Sequence, residues 1–407
     1  MAKPLHHALG QKHCNHKEAI SLTSKQSARI RELDGFRVLL VFIVSWYHIW
    51  QQSWWTPRVG ATSLDFLVRS GYMPVDGTIL LSGFLLFLPY ARHMLEGAPY
   101  PGWRDFYRRR ALRILPSYNA YLALVLFLIA LPYGLYATSR FLWRDILTHL
   151  TFTFTFRADT YMATPLGAAC WTLAIEMQAY LLFPLLARAT VKKPWLTLSL
   201  MVLAGWGWRA ACMLRLSDYA MVVNQLPSFL DVYALGMAAS LAYTKLHSMK
   251  PGRRSELVRQ LLATAVLAAC LVGLVALLKQ QSSMPDHAAI QRGQMQRRFP
   301  YAVLLCGVML SLPFTLRPLR LLMGNRVMNF LAAISMNYYL VHQVVAVHLR
   351  RIGFPPSVSN TPNMAGEMPW QRQYTYLVFG LSLLLATLLT YGIEKPCARL
   401  LLKKKRG

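Results

Sequence analysis

Acid is scarce in this chain. Its 407 residues hold 16 Asp and Glu against 44 Lys and Arg, a formal net charge of +28 at pH 7. Charged residues together make up 15% of the sequence, where a soluble domain carries about 25%. That shortage excludes a row of ordinary soluble domains. Cysteine is also sparse: Cys14, Cys170, Cys212, Cys270, Cys306 and Cys397 are dispersed, with no CxxC pair. Such spacing excludes a disulfide framework and a zinc ribbon. Cys170 and Cys212 both fall near predicted outer helix ends, which leaves a bridge between them open. No internal repeat is visible.

Apolar residues fill 55% of the chain and recur from end to end. Ten runs are long enough to span a bilayer: 36–54, 74–93, 115–136, 171–189, 195–213, 225–245, 258–279, 298–317, 327–349 and 373–394. The fifth is interrupted by Gly205 and Gly207, the eighth by Pro313. Lys and Arg favour alternate loops by about two to one, the positive-inside signature, which places both termini in the cytoplasm. That placement argues against a nucleic-acid partner and for anionic lipid. The expected fold is therefore an all-α integral membrane protein of about ten transmembrane helices in one bundle, in the cell membrane. Residues 1–30 read as a disordered cytoplasmic tail, 31–400 as the transmembrane domain and 401–407 as a basic tail. His6, His7, His13, Cys14 and His16 belong to the first tail, as polar filler or as metal ligands.

Ionisable residues inside apolar helices are costly and mark function by default. Arg37 opens the first span and His48 follows eleven residues on, about 16 Å along a helix axis. Counting from predicted helix ends puts His48, Asp76, Glu176, Asp231 and His342 at one outer depth. Each has a plain structural alternative, such as Asp76 capping a helix, but their convergence points to a site. A carboxylate beside His48 would orient the ring for proton transfer. Before the third span, Arg108, Arg109, Arg110 and Arg113 form a cluster in which Arg110 and Arg113 share a helix face. Such a pair grips phosphate or merely sets topology. Glu394 is expected to pair with Arg37 or Arg113 and hold the cytoplasmic mouth. Residues 151–156, Thr-Phe-Thr-Phe-Thr-Phe, suggest an interfacial segment with its rings in lipid or over an acceptor, within a long outer loop from 137 to 170. The Pro/Asn-rich stretch 353–369 reads as a lid or a connector.

Together these segments resemble the membrane acyltransferase-3 family. The likeness rests on Leu33-Asp34-Gly35-Phe36-Arg37 with His48, Leu81-Ser82-Gly83-Phe84-Leu85, Arg110-x-x-Arg113 with Pro116, Trp171-Thr172-Leu-Ala-Ile-Glu176, Ile334-Ser335-Met-Asn-Tyr338-Tyr339-Leu340-Val-His342, and Glu394-Lys395-Pro396. Departures are Thr172 for serine, Thr78-Ile79 for an aromatic pair and Met336-Asn337 for Tyr-Ser. With 13 residues after Glu394, the chain resembles a stand-alone member.

The resemblance implies an O-acyltransferase using acyl-CoA, usually acetyl-CoA, from the cytoplasmic side, with no metal. Its acceptor would be an extracytoplasmic sugar hydroxyl on a surface polysaccharide. Arg108, Arg109, Arg110 and Arg113 would hold the CoA phosphates, and Arg37, His48 and Glu176 would form the catalytic group. His342, Asp76, Asp231, Tyr180, Tyr338 and Trp171 would line the acceptor side. Two alternatives stand beside this reading: a proton-coupled transporter or flippase, and an acyltransferase acting on a small molecule such as a macrolide.

Overall fold

The computed structural model describes residues 29–249 and 251–403. The His6–His16 group and the tail beyond 403 lie outside these residues. Inside a bilayer no water satisfies the backbone, so a spanning segment must pair its own N–H and C=O groups, and a helix does this. The long helices are α1 (Glu32–Ser53), α2 (Val75–Glu96), α3 (Trp103–Val125), α4 (Trp171–Lys192), α5 (Pro194–Arg215), α6 (Leu230–Ser248), α7 (Arg253–Ser282), α8 (His287–Ser311), α9 (Arg326–Arg351) and α10 (Met368–Leu389). Nine helical spans among the described residues are long and apolar enough to cross a membrane. A bent pair makes the tenth: His287–Phe314, containing α8, turns by 111° into the short helix Arg317–Met323. The predicted eighth run thus ends in a break at Pro313, where a 3-10 turn spans Leu312–Phe314. Residues 353–367 are irregular, as their composition suggests.

Two glycine contacts fix the centre of the bundle. A Cβ on Gly236 of α6 would strike the Leu80 carbonyl oxygen of α2, and one on Gly83 of α2 would lie 2.5 Å from the Tyr233 oxygen of α6. Neither side chain exists, so the two backbones meet directly, as small residues permit between membrane helices. Gly236→Val should therefore destabilise the bundle by about 1–3 kcal/mol through overpacking, read as a lower midpoint of thermal unfolding in detergent. An unchanged midpoint would show that α2 and α6 can part at no loss. Gly35 serves the same purpose for the short helix Arg317–Met323, because a Cβ there would sit 2.9 Å from the Met323 Cα.

Four buried charges bind four helices. Arg209 of α5 grips Asp231 of α6 in a two-pronged pair, Nη1–Oδ1 2.9 Å and Nη2–Oδ2 2.5 Å. Gly205, one turn earlier, leaves space for that carboxylate, since a Cβ would meet Asp231 Oδ1 at 3.0 Å. Arg298 of α8 pairs with Asp76 of α2, Nε–Oδ1 3.3 Å, and its guanidinium lies 4.0 Å from the Phe229 ring centroid. Both arginines also donate around Ser228, Arg209 to its carbonyl and Arg298 to its hydroxyl. A charge in this setting is tolerated only when paired and hydrogen-bonded.

Within the loop from 137 to 170, two of the three phenylalanines of 151–156 pack inside the protein rather than facing lipid. The loop contains a helix (Ser139–Leu150), a shorter one (Ala158–Met162) and 3-10 turns. Phe152 stacks on Tyr118 at 4.9 Å and Phe154 on His149 at 4.0 Å, both buried. Only Phe156 of the three stands exposed. His149 is anchored through Nδ1 to the Asp145 carbonyl oxygen at 2.8 Å, and Asp145 accepts from Tyr136 and Thr164 at 2.8 Å each. These contacts replace the water that the loop's polar groups would otherwise need. Every described cysteine is free, Cys170 and Cys212 included.

Candidate functional site: two cavities sharing one wall

α1 carries Arg37 near its start and His48 near its end, and each residue lines a different cavity. The arginine cavity, about 170 Å³, is walled by Arg37, Arg110 and Arg113 with Ser82, Thr172, Glu176, Tyr180, Ser335 and Tyr339. Three guanidiniums thus surround one carboxylate. Glu176 accepts a hydrogen bond from Tyr180 at 3.1 Å and sits within electrostatic range of all three arginines. Arg110 also lies over the rings of Phe106 and Tyr180 at 5.9 and 5.8 Å. Among the described residues no carboxylate is within ion-pair distance of Arg37, Arg110 or Arg113. Such an excess of cation around one cavity is a place for an anion.

The histidine cavity, about 330 Å³, presents His48 among Tyr47, Trp50, Tyr72 and Trp171 and the amides of Asn224, Gln281, Gln291 and Gln294. Gln51, one turn beyond His48, orients the imidazole. Its Nε2 donates to the Tyr47 hydroxyl at 3.0 Å, which leaves its Oε1 to accept from His48 Nδ1 at 3.0 Å. That geometry keeps the proton on Nδ1 and an open lone pair on Nε2. Gln343 of α9 approaches the same Nδ1 nitrogen. Its Oε1 accepts from the Ala169 N–H at 2.5 Å, and its Nε2 stands 3.5 Å from His48 Nδ1, a weaker contact than the one from Gln51. His342 lies behind His48, ring centroids 5.3 Å apart, and donates from Nδ1 to the Tyr339 carbonyl at 2.8 Å.

The sequence reading puts five ionisable groups at one level, and the structure sorts them apart. Glu176 lies with the arginines and Tyr180; among the described residues it is Gln51, not a carboxylate, that hydrogen-bonds His48, with the Gln343 amide in contact at 3.5 Å. Asp76 and Asp231 are consumed by Arg298 and Arg209 and line neither cavity. Tyr338 is a packing residue: its hydroxyl meets Ser45 Oγ at 2.7 Å and its ring stacks on Phe42 at 4.7 Å, joining α9 to α1. Tyr180 faces the arginine cavity and Trp171 the histidine cavity. Of the four predicted arginines, Arg110 and Arg113 reach the cavity wall, whereas Arg108 and Arg109 do not. Glu394 accepts from Asn337 Nδ2 at 2.9 Å rather than forming a close ion pair with Arg37 or Arg113. Asn337 also donates to Thr390 at 2.8 Å, so one of the departures from the family pattern carries its own contact.

Four participants escape the sequence reading. Gln51 and Gln343 are neutral, and neutral amides raise no flag in a helix. Arg209 and Arg298 did carry a signal, an arginine inside or at the edge of an apolar run.

The chain matches the acyltransferase-3 family model, described as an acyltransferase domain, over residues 30–392. No curated protein and no solved structure matches it. With that match spanning most of its length and about ten spanning helices around paired cavities, the chain belongs to the acyltransferase-3 family and is a multi-pass membrane acyltransferase.

Proposed function

We propose that the protein moves an acyl group, acetyl by family resemblance, from acyl-CoA in the arginine cavity to a sugar hydroxyl in the histidine cavity. One observation carries this reading: Tyr339 lines both cavities, and the consecutive residues Trp171 and Thr172 divide between them. Donor and acceptor would meet across that wall. The arginine cavity is smaller than a typical ligand site of about 300–1,000 Å³, so only part of the donor enters it. Arg110 and Arg113 hold its phosphates and the thioester arm passes Arg37 toward His48. Facing it, aromatic rings and amides suit a polyhydroxylated acceptor, with faces for stacking and donors and acceptors for hydroxyls. A polysaccharide at the cell surface fits this description, with the chain termini on the donor side of the cell membrane.

In the reaction, His48 Nε2 takes the proton of the acceptor hydroxyl as its oxygen attacks the thioester carbonyl. The tetrahedral oxyanion receives a hydrogen bond from Tyr339. Its collapse expels the thiolate, and the imidazolium returns the proton to sulfur. Charge on His48 is short-lived, so a neutral amide clamp suffices to orient it.

Release of free CoA thiol by purified protein in nanodiscs tests the donor half. Arg113→Gln should raise the KM for acyl-CoA about tenfold, the loss of one charge-assisted contact, with little change in kcat. An unaltered KM would remove the phosphates from this cavity, and no CoA release by the wild type with any acceptor would overturn the reading.

A further inference from the structure

The bundle has a third cavity that the reaction above does not use. It is a groove of about 480 Å³ between α3, α9 and α10, open on the lipid side through Leu128, Leu384 and Leu388, each more than half exposed. Its wall is aliphatic apart from Tyr121 and His348. Both flanking helices widen into π-turns here: α3 continues as Leu126–Ala130 and α10 as Thr390–Glu394, and the groove takes Leu128, Ile129 and Ile393 from those turns. Such turns inside helices gather at functional sites. Along α10 the lining runs from Leu381 to Ile393, about 18 Å, the shape of a slot for one hydrocarbon chain.

At the α9 C-terminus the groove shares Ile129, Val344 and His348 with a smaller neighbouring cavity of about 140 Å³. There the wall turns polar, with Thr164, Gln343 and Arg351. Arg351 is exposed, has no carboxylate within 4 Å among the described residues, and lies in electrostatic range of His348. Gln343 is the same residue whose amide reaches His48 at 3.5 Å. Gly167 forms part of this wall at φ +103°, and a Cβ on it would crowd Tyr121 and Val344. An apolar slot thus leads to an unpaired cation, and from there past one amide to the candidate base.

We propose that this groove holds the single hydrocarbon chain of a lipid-anchored acceptor whose phosphate meets Arg351 and His348 and whose acceptor end turns past Gln343 toward His48. The assignment rests on the proposed acyl transfer for the acceptor's role, and on the groove alone for chain and phosphate binding. Bulk phospholipid is the competing occupant. Gln343 favours the acceptor, because this one side chain lines the smaller cavity and also lies 3.5 Å from His48, a link that a structural lipid does not need.

A diazirine-tagged single-chain alkyl phosphate, photolysed with the full-length protein in phosphatidylcholine nanodiscs, tests this. Cross-links should map to peptides of α3, α9 and α10, and untagged alkyl phosphate should displace them while equal phosphatidylglycerol does not. Leu384→Trp, a lipid-facing change that fills the slot, and Arg351→Gln should each cut labelling about tenfold. Both variants should retain wild-type thermal unfolding. Displacement by phosphatidylglycerol as effective as by alkyl phosphate would make the groove an ordinary lipid contact, and labelling elsewhere would abolish it as a site. Labelling does not need catalysis, so it should persist in His48→Ala. Lost labelling with intact CoA release overturns the groove alone; intact labelling without CoA release overturns the acyl-transfer reading alone.

Discussion

His48→Ala is expected to slow acyl transfer by about 10²–10⁴-fold, the usual contribution of a positioned general base. The bundle should stay folded, because the imidazole borders a cavity and its strongest hydrogen bond, at 3.0 Å, is to Gln51 within the same helix. Unfolding midpoints of variant and wild type should therefore agree within a few degrees while CoA release differs. The amide clamp supplies a graded control. Gln51→Leu removes the acceptor that holds the proton on Nδ1, so activity should fall without vanishing. His48→Ala combined with Gln51→Leu should be no slower than His48→Ala alone, since orienting an absent ring has no effect. Full activity in His48→Ala would remove this histidine from the chemistry. A double variant much slower than either single one would show that Gln51 acts independently of it.

The other large effect concerns stability. Arg209→Met leaves the Asp231 carboxylate buried without its two-pronged partner, a loss of about 3–5 kcal/mol for breaking a buried ion pair. Asp76 and Arg298 lie within electrostatic range of this pair, so the damage should spread through the four-helix junction. Replacing both partners, Arg209→Met with Asp231→Leu, removes the stranded charge and should restore most of the stability. Thermal unfolding in detergent with and without the second change reads the difference. A double variant as unstable as the single one would mean that the pair's hydrogen bonds to Ser228 and Val232, not charge burial, dominate.

Much of the scaffold was legible because an apolar run of bilayer length has few other uses. The Arg37–His48 spacing was equally legible, since both lie on one helix and distance along a helix follows from counting. Direction around the helix axis was not. Trp171 and Glu176 begin the same helix, yet they face opposite cavities, and depth alone could not separate them. Pairings across helices were hidden for the same reason: Asp231 and Asp76 look like site residues until Arg209 and Arg298 are seen beside them. The alternating phenylalanines 152–156 misled because an isolated loop offers no partner for them, whereas Tyr118 and His149 supply one in three dimensions.

The direct backbone contact of α2 with α6 has a mechanical consequence. A shift of either helix by one residue would drive a side chain into a carbonyl where Gly83 or Gly236 now sits. Close-packed interfaces of this kind switch between discrete fits rather than deform gradually. The pair therefore acts as a rigid keel. Compliance falls to the staves around it, α3 and α10, where each continues into a π-turn. Any widening of the bundle would fall to those turns, leaving the spacing of Arg37 and His48 along α1 unaltered.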